Sequence, residues 1–184
     1  MLHRHLSLAL VLSLLACGGS SSLLGSPIAN VVGVNPLTSM VHERPTPELP
    51  DVTRIPLRSI AGDDTNLAKM LGHRPAVVIL WAPWCESCKR EIPSILRLDR
   101  KARERGDFVV VGIAIGDEPE NVQGFASAHR LSYPQLIDTQ GDVGLLGRRQ
   151  VPTTLVINRQ GRTVYMGEAL DEAAIDALNN VLRR

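Results

Sequence analysis

The sequence predicts an α/β domain with a central mixed β-sheet flanked by helices. Two observations carry this. First, the apolar runs Ala76–Trp81 and Phe108–Ile115 read as strands buried on both faces, and they bracket a helix-like amphipathic stretch, Glu86–Arg105. Second, Thr153–Asn158 and Thr163–Met166 flank Arg159-Gln160-Gly161, a hairpin signal, and a helical pattern follows. Strands alternating with helices and closed by an antiparallel pair require a mixed sheet.

The elements follow in order. Arg54–Ile60 and the turn Gly62-Asp63-Asp64 give an N-terminal hairpin region, followed by a short helix over Asn66–Leu71. In Glu86–Arg105, Ile92, Ile95, Leu96 and Leu98 point inward and the charges lie elsewhere, with a kink expected at Pro93. Glu120–Arg130 reads as a helix, Gln135–Ile137 as a short strand and Asp142–Leu146 as a helical turn; they form a strand-helix insertion. Asp171 caps a last helix, with Ala174, Ile175, Leu178, Val181 and Leu182 at helical spacing.

Composition limits the function classes. Hydrophobic content of 44% supplies a core, and a net charge of +1 with no basic cluster gives no reason to expect nucleic acid as a partner. Arg148-Arg149 is only a pair, read as part of a solvated loop. At the N-terminus, Arg4 precedes an apolar run from Leu6 to Ala16, too short for the roughly 20 residues that cross a bilayer as a helix. A basic start, a short apolar stretch and small residues read as a secretory signal over residues 1–16. Leu14-Leu15-Ala16-Cys17-Gly18 resembles a bacterial lipobox, which makes Cys17 the expected lipidation site and anchor; ordinary cleavage nearby and an uncleaved anchor are the alternatives. Residues 17–53, rich in Gly, Ser and Pro, then form a flexible tether, with Ile28–Val34 a candidate edge strand, and the domain covers 54–184.

Trp84-Cys85-Glu86-Ser87-Cys88 lies between a strand and a helix. A thiol at a helix N-terminus faces free backbone N–H groups and the positive end of the dipole, so it becomes a thiolate near neutral pH. A second thiol one turn on is placed to resolve the resulting mixed disulfide. The rival readings are metal sites. Structural zinc needs four ligands, and here there is no second cysteine pair, while His73 and His129 are isolated. Two thiolates also suit Cu(I), which stays open. A purely structural disulfide across so short a loop contributes little.

Val78-Ile79-Leu80-Trp81-Ala82-Pro83-Trp84-Cys85-Glu86-Ser87-Cys88-Lys89 resembles the thioredoxin active-site segment. Pro93 matches the proline of its helix, and Val151-Pro152-Thr153 resembles the segment carrying the family's cis-proline. The signal, the proline-rich lead-in and the insertion are similar to the TlpA-like branch, which includes ResA-like and CcmG-like proteins. The resemblance implies a membrane-anchored, extracytoplasmic thiol–disulfide oxidoreductase with Cys85 and Cys88 catalytic. It also implies that Trp84, Val151, Pro152 and Thr153 bind extended substrate. No cofactor beyond the Cys85–Cys88 disulfide is implied, and no metal. The implied partners are oxidised proteins such as apocytochrome c, an integral membrane thiol electron donor, and the membrane through the lipid.

Within this frame Ile79 stands where thioredoxin keeps a buried aspartate. Glu91, three residues past Cys88 and so on its helix face, is the candidate proton relay; the alternative is a solvated carboxylate paired with Lys89 or Arg90. Glu86 is expected to oppose the Cys85 thiolate modestly, and Ser87 departs from the proline of many relatives. Electron flow toward disulfide formation or isomerisation, and non-enzymatic Cu(I) delivery, are the competing functions. A peroxidase is disfavoured, since the Thr-x-x-Cys setting of that activity is missing.

Overall fold

The structure is a computed structural model that describes residues 49–146 and 150–184. In chain order its elements are β1 (Leu57–Ser59), β2 (Asp64–Thr65), α1 (Leu67–Leu71), β3 (Ala76–Trp81), α2 (Glu86–Arg105) and β4 (Val109–Ile115). There follow α3 (Pro119–Ala128), β5 (Gln135–Asp138), α4 (Asp142–Leu146), β6 (Thr153–Ile157), β7 (Thr163–Gly167) and α5 (Glu172–Leu182). The strands form one sheet in the order β2-β1-β5-β4-β3-β6-β7. β3 is parallel to β4 and antiparallel to β6, so the sheet is mixed as expected.

Every residue of β3 is buried because both of its faces are covered. Side chains alternate across a strand, and the packing follows that period. Val77, Ile79 and Trp81 join Ile95, Leu98 and Ala102 of α2 and Leu178 of α5 on one face. Val78 and Leu80 join Leu67 and Leu71 of α1 and Val143 of α4 on the other. A strand enclosed in this way cannot slip by one residue without exchanging its two faces, so its C-terminal end, where the cysteines follow, is fixed.

Local signals set the helix ends. The Asn66 and Asp171 side chains accept from the Lys69 and Ala174 amides as N-caps of α1 and α5. Pro119 opens α3, one residue before the expected start, because a proline at the first position lacks only an N–H that would be unpaired anyway. Gly106 ends α2 with a left-handed φ of 73°, a conformation that glycine adopts without strain.

Two details depart from the sequence expectations. Asp99 is not on an outer charged face: it is 4% exposed, accepts from the Ser132 hydroxyl at 2.7 Å and pairs with Arg103 at 3.0 Å. Packing also begins before Arg54. Val52 is buried, the Thr53 carbonyl accepts from the Ala68 amide, and the Thr163 hydroxyl donates to the Pro50 carbonyl. Residues expected to belong to the tether are therefore held by the domain, through contacts that no local periodicity announces. Cys17, the 1–16 signal, Ile28–Val34 and Arg148-Arg149 lie outside the described residues. Among the described residues, no helix is long and apolar enough to cross a membrane.

Trp81 is tied across the sheet: its indole N–H donates to Gln135 Oε1 at 3.0 Å, and Gln135 Nε2 donates to the Tyr133 carbonyl at 3.0 Å. Gly112 on β4 lies under this pair, and a Cβ there would meet Gln135 Oε1 and Trp81 Nε1. Gly112→Ala is expected to lower unfolding stability by about 1–3 kcal/mol through overpacking. Urea denaturation followed by Trp fluorescence checks this; an unchanged midpoint contradicts the packing.

Candidate active site

Cys85 is the N-cap of α2, with extended backbone (φ −83°, ψ 105°), and its sulfur accepts from the Cys88 amide at 3.1 Å. The two cysteines are joined as a disulfide. Both are 4% exposed, while Trp84 beside them is 58% exposed. The Cys85 amide is itself satisfied by the Ala82 carbonyl at 3.1 Å, which fixes the turn leading out of β3. The Ser87 hydroxyl lies 3.3 Å from Cys85 Sγ. After reduction these donors and the helix dipole face the Cys85 sulfur, and each favours its anionic form. Ser87 is thus a potential hydrogen-bond partner of the thiolate, which the sequence marked only as a departure from proline.

Glu86 opposes that charge less than its position suggests. It pairs with Lys89, and this hydrogen bond holds its carboxyl below the ordinary value, with a charge already compensated.

Beneath Cys88 the protein is apolar. Cys88, Ile79, Trp81, Ile92, Phe125 and Tyr133 line a small cavity. Burial raises the pKa of the Tyr133 hydroxyl, so that group stays protonated at neutral pH. Ile79 therefore places no ionisable group under the buried thiol. A proton for Cys88 must come from the helix or from solvent.

Glu91 follows Cys88 by one turn, half-buried, with Oε2 enclosed and without a hydrogen-bond partner among the described residues. Burial raises the pKa of its carboxyl, the Leu170 amide opposes the rise and the Asp171 charge adds to it. Lys89 is engaged by Glu86, and no ion pair joins Arg90 to Glu91 among the described residues. Glu91 is thus not the solvated, paired carboxylate of the alternative reading. No hydrogen bond links it to either sulfur; the structure seats it at the junction of α2 with the β7–α5 loop.

The second predicted segment comes to the same end of the sheet. The Val151–Pro152 bond is cis. Thr153 pairs with Leu80 in register, which sets Pro152 level with Trp81, and Val151 packs on the cluster that holds Cys85 and Cys88. The Thr153 hydroxyl donates to the Gln150 carbonyl at 2.8 Å and its side chain is buried, so the side chain shapes this segment. On the other side of the cysteines, Trp84 forms the wall of a groove with Ile115, Asp117, Glu118, Pro119 and Gln140. The acids Asp117 and Glu118 escaped sequence reasoning because nothing local ties them to Trp84.

A thioredoxin-like fold with paired cysteines at the N-terminus of α2, beside a cis-proline, defines a dithiol–disulfide protein of the thioredoxin superfamily. The chain belongs to the AhpC/TSA family, whose model matches residues 45–166. It is 32% identical over 110 residues to the thiol-disulfide oxidoreductase ResA of Halalkalibacterium halodurans, covering 59% of this chain and 61% of that one. It is also 32% identical over 120 residues to the thiol:disulfide interchange protein DsbE of Pseudomonas fluorescens, covering 63% and 64%. The match thus spans less than two thirds of the length of these curated relatives. Among solved structures, a putative DsbE from Chlorobium tepidum superposes with a TM-score of 0.62 at 21% identity, covering 73% of this chain and 95% of that one. A secreted Mycobacterium tuberculosis disulfide oxidoreductase does so with a TM-score of 0.55 at 23% identity, covering 70% and 94%. Both share the fold.

The environment of Glu91 has a consequence for stability. A carboxyl whose folded pKa is raised is accommodated more easily protonated, so the folded state loses stability as pH rises from the ordinary carboxyl range through the raised value. Glu91→Gln is expected to remove that loss, gaining on the parent above this window and not below it. Denaturation midpoints from pH 4 to 8, read as a difference between the two chains, check this; a difference independent of pH contradicts it.

Proposed function

We propose that the protein is an extracytoplasmic, membrane-tethered thiol–disulfide oxidoreductase that reduces disulfides in other proteins. The observation that carries this reading is the Cys85–Cys88 pair at the start of α2 beside cis-Pro152. In the reaction, the Cys85 thiolate attacks a substrate disulfide, one substrate thiolate leaves, and a mixed disulfide forms. The Cys88 sulfur, after losing its proton, attacks Cys85, releases the second substrate thiolate and closes the Cys85–Cys88 bond. Two electrons pass to the substrate, and an integral membrane thiol donor returns them to the pair.

Glu91 is the proton acceptor for Cys88 in this scheme. The apolar cavity floor and the raised pKa of its carboxyl support the role. Trp84, Val151 and Pro152 hold an extended substrate segment across the cysteines. No cofactor beyond the disulfide is needed. Oxidised proteins such as apocytochrome c are the proposed substrates; the relatives' names, thiol-disulfide oxidoreductase and thiol:disulfide interchange protein, support the exchange chemistry. Cys17 carries the lipid, and its lipobox-like setting and the short apolar run before it support an anchor outside the cytoplasm. One structural neighbour is itself described as secreted.

A redox titration of the Cys85–Cys88 pair tests the direction of electron flow. A potential near the thioredoxin value of about −270 mV is expected, whereas one near the DsbA value of about −120 mV would make the protein an oxidant. In cells, Cys88→Ser is expected to accumulate mixed disulfides through Cys85, visible as thiol-sensitive bands on non-reducing gels. Their absence, with Cys85→Ser giving the same pattern, contradicts the mechanism.

A further inference from the structure

The described part of the chain is electrically polarised along the strand axis. α2, α3 and α5 all begin at the cysteine end of the sheet, where Glu86, Asp117, Glu118, Asp171 and Glu172 collect. The six residues of β3 separate that end from the opposite pole by roughly 20 Å. There, Ala76 pairs with Val109 and Ile157, and the β6–β7 turn and the start of the domain come together. Two adjoining grooves open at this pole, sharing Asn158, Arg159, Gln160, Arg162 and Val164. Arg54 and Arg74 line the first and Arg184 the second.

All five arginines are exposed, and among the described residues none is in an ion pair. The one acid lining these grooves is Asp51, held ionised by the Thr53 amide and hydroxyl within reach of the Arg54 charge, and the Asp107 charge acts on Arg159 from outside them. Compensation of helix dipoles explains basic residues such as Arg103 and Arg105 at the end of α2. It does not explain Arg54 on a loop or Arg159 and Arg162 on a hairpin turn. The surface also carries apolar area, since Val164 is 42% exposed. Leu49, the first described residue, lines the same groove, and the expected anchor at Cys17 precedes it in the sequence.

We propose that this basic pole is a docking surface for an anionic lipid bilayer, which leaves the cysteine pole free for protein substrates and for the extramembrane part of the thiol donor. Guanidinium groups match phosphate in geometry and charge, and the Val164 side chain fits the apolar side of the headgroup layer. Leu49 marks this surface as the one next along the sequence to the proposed anchor. This inference deepens the proposed membrane attachment and rests on it for the choice of a bilayer as the occupant.

Each basic side chain near an anionic surface is worth about fivefold in partitioning, and the effect is screened by salt. The test measures binding of the full chain to vesicles of phosphatidylcholine, alone or mixed with phosphatidylglycerol, at low and high ionic strength. The comparison is with the triple variant Arg54→Gln, Arg159→Gln, Arg162→Gln. The full chain is expected to prefer the anionic vesicles at low salt. The triple variant is expected to lose at least about tenfold of that preference while reducing insulin at the parent rate, which shows that it is folded. Equal partitioning of parent and variant, or no anionic preference in the parent, overturns the proposal. So does arginine-dependent self-association in the absence of vesicles, which would make a second copy the occupant. Failure of the tether reading is distinct: it appears as loss of the salt-resistant binding to pure phosphatidylcholine, with the arginine-dependent increment intact.

Discussion

The hydrogen bond from the Cys88 amide to the Cys85 sulfur is the contact on which the site depends. It exists because Cys85 is the N-cap of α2, a place normally taken by an oxygen-bearing side chain that accepts from the first turn. A sulfur put there receives the donors that the helix cannot use internally. The geometry holds because β3 is packed on both faces and delivers the chain to a fixed point, and because the Ala82 carbonyl secures the Cys85 amide. The rest of the fold serves to keep the end of one strand and the start of one helix in register.

The two cysteines meet different surroundings. Around Cys85 lie the Ser87 hydroxyl, the helix N-terminus and the exposed ring of Trp84. Around Cys88 lie Ile79, Ile92 and Phe125, which disfavour charge. This asymmetry suits a sequence of attack and resolution, because the sulfur at the N-cap of α2 is the one whose anion its surroundings favour. In the proposed mechanism Glu91, one turn along the helix, takes the proton that the resolving thiol loses.

Much of this was legible in the sequence, for local reasons. The runs of β3 and β4, the span of α2 and the cap Asp171 all follow from patterns a few residues long, whereas Asn66, expected as the first residue of α1, is its N-cap. The cysteine pair and the Pro152 segment could be placed from their flanking elements. What escaped depends on contacts distant in sequence. Asp99 reads as one more charge on a charged helix, because Ser132, which donates to it, lies on the distant α3–β5 loop. Gln135 gives no sign that it anchors Trp81. The basic pole was invisible because its arginines lie between positions 54 and 184, and only the closing of the sheet brings them together. Pro50, Val52 and Thr53 read as tether, since their partners are on α1 and β7.

The helix directions put acids near the cysteines, whereas the far pole takes its charge from arginines on a loop and a hairpin turn. The account stands or falls on whether the N-terminus of α2 activates Cys85. The direct measurement is the pH dependence of alkylation of each thiol in the reduced protein, followed by mass spectrometry of the two labelled cysteines. The account predicts a Cys85 midpoint well below the free-thiol value of about 8.5, with Cys88 higher than Cys85. A Cys85 midpoint at or above that value, or the reverse order of the two thiols, would contradict it.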